Sequence, residues 1–267
     1  MQRTQFLNKR RPYLILFFLL AATAAGCLSA CSDAAGASRN RAASSETGSA
    51  VRESQPLSPT NSPKPDVKFI KVPYLSQDGR LPTGCELVSA VMLLRYYGYD
   101  TDADKISALI PKRNLTRKDG RLFGPHPSEA FIGDPLSPGG YGCYAPVIQN
   151  AMNALFQKSG TLEAVDETGS ELETLMTRYI DRDTPVLIWA TADMKEPGTG
   201  TSWTVESTGK PFQWISGEHC LVLVGYNQYY YFFNDPYAMN RRVGFRKDLV
   251  ATRYTTLGKQ AVAVRRA

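Results

Sequence analysis

The sequence predicts an α+β fold in which helices come first and an antiparallel sheet follows. Residues 85–97 carry apolar side chains at helical spacing, and Gly98 follows them as a helix stop. Residues 185–191 are apolar nearly throughout, which is typical of a strand buried on both faces. Residues 218–226 and 229–234 are apolar runs separated by a tight turn, which predicts an antiparallel hairpin. This order favours an antiparallel sheet over a parallel, doubly wound one.

The remaining segments complete the outline of the domain. Short strands are expected near residues 67–72 and 260–265, and a short helix from Thr101 that Pro111 ends. Two more helices are predicted at residues 146–158 and after a capping box that begins at Ser170. The two polar segments rich in glycine or proline predict a long loop and an excursion between strands, at residues 112–142 and 193–217.

Composition limits the classes of function. Apolar residues make up 43% of the 267 residues, which fits a packed domain rather than a disordered chain. Four of the six excess positive charges fall in residues 1–30, so the rest is nearly neutral and nothing points to nucleic acid as a partner. Five cysteines do not make a disulfide scaffold, and the two histidines, His126 and His219, are the candidates for a catalytic base.

The N-terminus predicts export and lipidation. Residues 1–30 combine basic residues with an apolar run from Tyr13 to Ala25, which is shorter than the roughly 20 residues that span a membrane. The residues that precede Cys31 resemble a bacterial lipobox, so Cys31 is expected to carry lipid; cleavage before Cys27 and an ordinary secretory signal are alternatives. Residues 31–66 are small and polar, which predicts a flexible tether that holds a domain of residues 67–267 outside the cytoplasm.

Cys85 is the candidate nucleophile because it lies where a loop becomes a helix. The partial positive charge of a helix N-terminus favours a thiolate and lowers the thiol pKa from about 8.5. Gly84 leaves room beside it for a substrate carbonyl, and Gln77 is a candidate oxyanion donor together with the Cys85 backbone N–H. The alternative for Cys85 is a small apolar residue at the start of a buried helix.

His219 and Asp235 supply the other two parts of a possible triad. His219 opens an apolar strand, where its ring can act as a general base on a thiol. His219 and Asp235 lie equally far from Asn227, so a hairpin centred there brings the carboxylate opposite the imidazole, which it can orient. The alternatives are a packed strand-end histidine and an Asp-Pro turn.

The other cysteine, histidine and glutamate residues give weaker indications. His126 is expected in a solvent-exposed loop, with substrate contact as the alternative. Cys143 and Cys220 either form a disulfide or remain buried thiols. A zinc site built from Cys85, Cys143, His126 and His219 lacks the spacing of known zinc motifs, so neither metal nor cofactor is expected. Glu86 is assigned to the helix start or to loop packing.

Several motifs together, in order and in spacing, resemble the papain-like cysteine peptidases of family thirty-nine and its "like" branch, whose best-known members process bacteriocin leaders. The motifs are Val72-Pro73-Tyr74, Gly84-Cys85-Glu86, Tyr97-Gly98, Phe131-Ile132-Gly133-Asp134-Pro135, Gly140-Tyr141-Gly142, Pro185-Val186, Val224-Gly225-Tyr226 and Asn234-Asp235-Pro236. The resemblance covers residues 67–265 and implies a papain-like fold. It also implies Cys85 as nucleophile, His219 as base, Asp235 as orienting acid and Gln77 as oxyanion donor.

The sequence therefore predicts a membrane-tethered thiol hydrolase that cleaves a peptide or isopeptide bond through an acyl-enzyme. Its partners are a peptide or protein substrate and, through the lipid, a bacterial membrane, and the domain is expected to be a monomer. Two alternatives stay open. An acyl transferase of the transglutaminase type uses the same triad, and a non-catalytic module on the same fold binds peptides in the cleft.

Overall fold

The computed structural model describes residues 66–157, 160–237 and 241–267. The predicted signal peptide, Cys31 and the tether up to residue 65 lie outside the described residues. In the part of the chain that is described, no helix combines the length and the apolar character needed to cross a membrane.

Five α-helices and thirteen strands make up the described residues. The helices are α1 (Cys85–Tyr96), α2 (Ala103–Leu109), α3 (Ala145–Phe156), α4 (Leu172–Arg178) and α5 (Lys247–Thr256), with 3₁₀ turns at Ile180–Arg182 and Ala192–Met194. The strands are β1 (Lys68–Phe69), β2 (Lys112–Arg113), β3 (Thr116–Lys118), β4 (Arg121–Gly124), β5 (Phe131–Ile132), β6 (Leu162–Asp166), β7 (Val186–Thr191), β8 (Gly198–Val205), β9 (Pro211–Ser216), β10 (Glu218–Tyr226), β11 (Tyr230–Asn234), β12 (Arg242–Arg246) and β13 (Ala261–Arg266).

The main sheet is antiparallel, which confirms the predicted α+β class. Its strand order is β12-β11-β10-β7-β13-β6, and β1 pairs with the far end of β10. Every pair in it is antiparallel. All six residues of β7 are buried, as their continuous apolar character predicts. The sheet therefore has its buried centre at β7 and β10, and the candidate base, His219, is the second residue of β10.

Helix α1 is the central helix of the domain. Ten of its twelve residues, Cys85–Leu94, are buried, because it packs against β7 and β10 as well as against α2 and α3. A helix that is apolar all round belongs inside a protein rather than on its surface. The Ser89 hydroxyl donates a hydrogen bond of 3.0 Å to the Cys220 carbonyl oxygen, which joins α1 to β10. This contact fixes the start of α1 beside the start of β10.

The segments predicted as a long loop and an excursion form paired strands instead, in a four-stranded sheet and in a two-stranded parallel sheet of β2 and β5. Strands β3, β4, β8 and β9 pair in that order, and the pairing of β4 with β8 is parallel. Strand β3 is short and polar, β4 has four residues and β8 is rich in glycine and threonine, so apolar alternation did not identify them and the prediction of irregular structure was wrong there. Aromatic contacts between Tyr144 and Trp214 and between Tyr141 and Trp203 pack this sheet against the segment before α3.

Three further elements were missed and one cap was wrong. The sequence did not predict the five-residue strands β6 and β12 or the ten-residue helix α5, which carry exposed polar residues. The predicted capping box does not form, because the Ser170 hydroxyl donates to Glu167 at 2.6 Å and α4 begins after Glu171 without a side-chain cap. Glu167 also binds Arg178, so an ion pair replaces the expected cap.

Candidate active site

Cys85 is the first residue of α1, as predicted, and only 5% of its surface is exposed. Gly84 occupies the N-cap position, so α1 begins without a side-chain cap. A Cβ at Gly84 would lie 2.9 Å from the Leu81 Cβ, closer than side-chain contacts allow. Gly84 therefore has a packing role in the preceding loop that the sequence did not reveal.

His219, near the start of β10, and Asp235, directly after β11, form a buried pair. His219 Nε2 lies 2.7 Å from Asp235 Oδ1, and the two residues are 3% and 0% exposed. The same carboxylate oxygen accepts the Tyr237 backbone N–H at 2.9 Å, which fixes its orientation. With Nε2 bound to the carboxylate, Nδ1 is the ring nitrogen that remains for proton exchange.

The register that brings the pair together differs from the predicted one. The prediction centred the hairpin on Asn227, whereas the structure pairs Val222 with Asn234 and carries a register shift between Leu223 and Gly225. The Asn227 side chain accepts two backbone N–H groups beyond it, which lengthens the turn. Asp235 and His219 are therefore diagonal neighbours across the hairpin rather than directly opposed, and side chains at this separation still reach each other.

The Cys85 thiol contacts β10 next to His219. Cys85 Sγ accepts the backbone N–H of Cys220 at 3.4 Å, and Cys220 directly follows His219 in the chain. The thiol itself donates to Glu86 Oε2 at 3.4 Å. Cys85 and His219 both belong to the described residues, and no hydrogen bond joins Cys85 Sγ to the His219 ring. The candidate nucleophile and the candidate base thus lie close together, but the thiol is hydrogen-bonded to the Glu86 carboxylate instead of the imidazole.

The electrostatic state of Cys85 is opposite to the predicted one. Burial raises the pKa of the Cys85 thiol well above its ordinary value, and the charges of Glu86 and Glu218 raise it further. The Cys220 N–H lowers it, but by less. The expected lowering of the pKa by the helix N-terminus was therefore wrong, because desolvation and two carboxylates outweigh the helix charge.

Buried Glu86 and half-buried Glu218 form a carboxylate pair that the sequence analysis missed. Glu86 is fully buried, its Oε1 accepts the Cys143 N–H at 2.7 Å, and burial raises its pKa to about 7. Burial and the charge of Glu86 raise the pKa of Glu218 well above its ordinary value. A Cβ at Gly142 would lie 2.5 Å from Glu86 Oε1 and 3.0 Å from Glu218 Oε2, so both carboxylates border Gly142.

A sequence signal for this pair existed at each end. Glu86 is an acid in the first turn of a helix whose next eight residues are all buried, and Glu218 is the first residue of a strand whose other residues are all buried. An acid in such a position is either paired or functional. What the sequence does not reveal is that the two positions meet.

Gln77 lies in a loop beside Asp235, but its side-chain amide is hydrogen-bonded within that loop. Its backbone N–H donates to the Pro236 carbonyl at 2.9 Å, which places the loop beside Asp235. Its Nε2 donates to the Leu81 carbonyl at 3.4 Å, and its buried Oε1 has no hydrogen-bond partner. Gln77 also lines a cleft of about 460 Å³ together with Tyr237.

Comparison with known proteins identifies the domain. The model of the Peptidase_C39 like family matches residues 69–262. The chain belongs to this family. The match covers both candidate catalytic elements, α1 and the β10–β11 hairpin, and the α+β arrangement is that of the C39-like, papain-like peptidase fold.

Two relatives of the C39-like domain come from Bacillus species. YvpB, an uncharacterized protein of Bacillus subtilis (strain 168), is 27% identical over 188 residues, which cover 70% of this chain and 71% of YvpB. A solved structure from Bacillus anthracis, assigned as a C39-like peptidase, is 26% identical with a TM-score of 0.65. The match covers 75% of this chain and 98% of the other. The resemblance inferred from the motifs is thereby confirmed.

The other candidate residues of the C39-like domain, His126, Cys143 and Cys220, are packed against neighbouring side chains or buried in the core. His126 is half-buried rather than solvent-exposed, because its ring packs edge-on against Phe212 and Tyr144. Its Nδ1 accepts the Ser128 N–H, and burial lowers its pKa. Cys143 and Cys220 are free, fully buried thiols, so the disulfide alternative is wrong.

The described residues do not form the zinc site considered from sequence. Cys85 is grouped with Glu86 and Glu218, and one donor atom of each lies within 4.8 Å of the others. Across the described ranges, no other set of three such side chains has metal-binding spacing. The donors differ from the set with Cys143, His126 and His219, because α1 and β10 bring two acids rather than two histidines to the thiol.

Proposed function

We propose that this C39-like domain is a thiol hydrolase that cleaves a peptide or isopeptide bond through an acyl-enzyme on Cys85. The observation that carries the proposal is the buried His219–Asp235 pair, 2.7 Å apart, at the start of the strand that contacts Cys85 Sγ. A buried imidazole held by a carboxylate beside a helix-start cysteine is the arrangement that activates a thiol.

The chemistry follows from these positions. When the thiol leaves Glu86 and turns to His219, its proton moves to Nδ1 and the sulfur attacks the substrate carbonyl carbon. Asp235 stabilises the imidazolium, which then protonates the leaving amine as the carbon–nitrogen bond breaks. Water next attacks the thioester while His219 accepts a water proton, and the thiol leaves with that proton. The Cys85 N–H and the Gln77 amide, released from Leu81, are the proposed oxyanion donors.

A non-catalytic peptide-binding module remains the second candidate. The specific observation in its favour is that the thiol is bound to Glu86 and has a raised pKa. In that case the cleft beside Gln77 and Tyr237 binds a peptide without cleaving it. Acyl transfer is the same chemistry with an amine in place of water, so only the products distinguish it from hydrolysis.

We also propose that the domain is exported and tethered to a bacterial membrane by lipid on Cys31. The support comes from the sequence alone, namely the signal-like residues 1–30 and the lipobox-like residues before Cys31. Residues 31–66 then provide the distance between the membrane and the peptidase domain.

The test is turnover of a mixture of synthetic peptides and lysine-linked isopeptides by the full-chain protein, with and without an added primary amine. New carboxyl termini are expected by mass spectrometry, and none with Cys85→Ala at an unchanged melting temperature. Amine adducts in place of free carboxyl termini would assign acyl transfer. Peptide binding by both proteins without any product would favour the non-catalytic module.

A further inference from the structure

The group that contacts the Cys85 thiol is not part of the proposed triad. The thiol donates to Glu86 Oε2 at 3.4 Å, and the other oxygen of that carboxylate is fixed by the Cys143 N–H at 2.7 Å. A backbone N–H and a thiol therefore bind opposite oxygens of one buried carboxyl group. This contact orients the thiol toward the first turn of α1 instead of toward the imidazole.

Glu218 places a second acid at the same point. Its Oε1 is buried without a hydrogen-bond partner, and one oxygen of each glutamate lies within 4.8 Å of Cys85 Sγ. Among the described residues, no lysine or arginine forms an ion pair with Glu86 or Glu218. Two carboxylates this close together, with no basic side chain paired to either, disfavour each other's ionisation, and burial adds to the effect, so the pKa of each is raised.

The titratable groups that face Glu86 come from three elements. They are Cys85 on α1, Cys143 before α3, and Glu218, His219 and Cys220 on β10. His219 is the group among these that carries positive charge when protonated, and its interaction lowers the pKa of Glu86. The charges of this cluster make the electrostatic potential at the thiol negative, which disfavours ionisation of Cys85 to a thiolate.

We propose that Glu86 and Glu218 are positioning residues that hold Cys85 as a protonated thiol, so that the nucleophile becomes reactive only when it leaves Glu86 for His219. The inference rests on the proposed function for the role of His219, but the state of the thiol itself does not depend on any substrate. The two acids thus set the pH at which Cys85 reacts. The step is a transfer of the thiol hydrogen bond from one acceptor to another, with no change in oxidation state.

The experiment is the pH dependence of alkylation by iodoacetamide between pH 5 and 10, with the adduct mapped to Cys85 in the full-chain protein. In Glu86→Gln the amide oxygen keeps the Cys143 N–H, so the amide NH₂ faces the sulfur and favours a thiolate. The midpoint is expected above about 8.5 in the wild type and lower by about one to three pH units in Glu86→Gln. Glu218→Gln is expected to lower it by less, because Glu86 acts more strongly on Cys85.

The matched control is Glu167→Gln, which removes a buried carboxylate that binds Arg178, Ser170 and Tyr179 instead of the thiol. Its alkylation midpoint is expected to equal that of the wild type. An unchanged or higher midpoint in folded Glu86→Gln overturns the inference, and if that variant does not fold, an unchanged midpoint in Glu218→Gln does so. Neither result touches the proposed function, which is tested separately by peptide turnover and its loss in Cys85→Ala.

Discussion

His219 Nε2 bonds Asp235 Oδ1 at 2.7 Å although the two residues are diagonal rather than opposite across the β10–β11 hairpin. The diagonal arrangement depends on the turn that Asn227 organises and on the register shift between Leu223 and Gly225. A one-residue slip would move the side chains of β11 to the other face of the sheet. The geometry of the proposed base is therefore set by the turn and the irregular register as much as by the two side chains.

The three proposed catalytic residues are expected to act as a unit. His219→Ala and Cys85→Ala should each reduce kcat/KM by about a thousandfold or more, and Asp235→Asn somewhat less. Adding Asp235→Asn to Cys85→Ala should cost little more, since without a nucleophile the oriented imidazole has nothing to activate. Kinetics of the single and double variants on one cleaved peptide measure this non-additivity.

The control for this series is His126→Ala, which removes a ring packed on Phe212 and Tyr144. Its turnover should stay near the wild-type value after correction for the folded fraction. Melting curves are needed for Asp235→Asn, because Asp235 also accepts the Tyr237 N–H. If His126→Ala abolishes turnover and His219→Ala does not, the base is misassigned.

The buried Glu86 predicts a specific pH dependence of stability. Its pKa is about 7 in the folded protein, above the ordinary 4.5, chiefly because burial disfavours the charge. The folded state then binds more protons than the unfolded state between these values, so this contribution to stability is lost as pH rises from about 4.5 through 7. The free energy of unfolding of the wild type relative to Glu86→Gln should fall by about 1–3 kcal/mol across this window. Urea unfolding at pH 5 and pH 8 measures it, and a difference that is constant or rises with pH contradicts the assignment.

Gly142 is expected to be intolerant of a side chain. Its φ is +154°, and a Cβ would meet Glu86 Oε1 at 2.5 Å and Trp214 Cη2 at 3.2 Å. Gly120, with a φ of +77° and no atom within 4 Å of its Cβ position, is the matched control for backbone strain. Gly142→Ala should destabilise the protein by about 1–3 kcal/mol more than Gly120→Ala in urea unfolding. Equal losses would mean that the carboxylate pair does not restrict this position.

If Cys31 carries the lipid, substituting this one residue should change the cell fraction in which the protein is found. Cys31→Ala should move the protein from the membrane to the soluble fraction of cells, because the acyl chains that hold it at the bilayer are no longer attached. Cys27→Ala should leave it on the membrane. Release by Cys27→Ala with retention of Cys31→Ala would assign the lipid to the other cysteine.

The parts of the fold that sequence reasoning predicted are those with a local signal. The start of α1 at Cys85 and the buried strand β7 follow from apolar periodicity and run length. Strand β3 is three polar residues that only its pairing makes a strand, whereas β9 carries Phe212 and Trp214 in alternation, a strand pattern that the sequence analysis missed. The Glu86–Glu218 pair joins a helix to a strand more than a hundred residues away, so no local pattern carries it. For the same reason the helix-start argument gave the wrong direction for the pKa of Cys85.

The nucleophilic role of Cys85 is tested most directly by trapping the acyl-enzyme. Full-chain protein mixed with excess cleavable peptide and quenched in acid within the first turnovers should carry the mass of the acyl fragment, mapped to the fragment that contains Cys85. Addition of hydroxylamine should remove it, as expected for a thioester. Efficient cleavage with no adduct on Cys85, or an adduct on Cys143 or Cys220, would contradict the proposed mechanism.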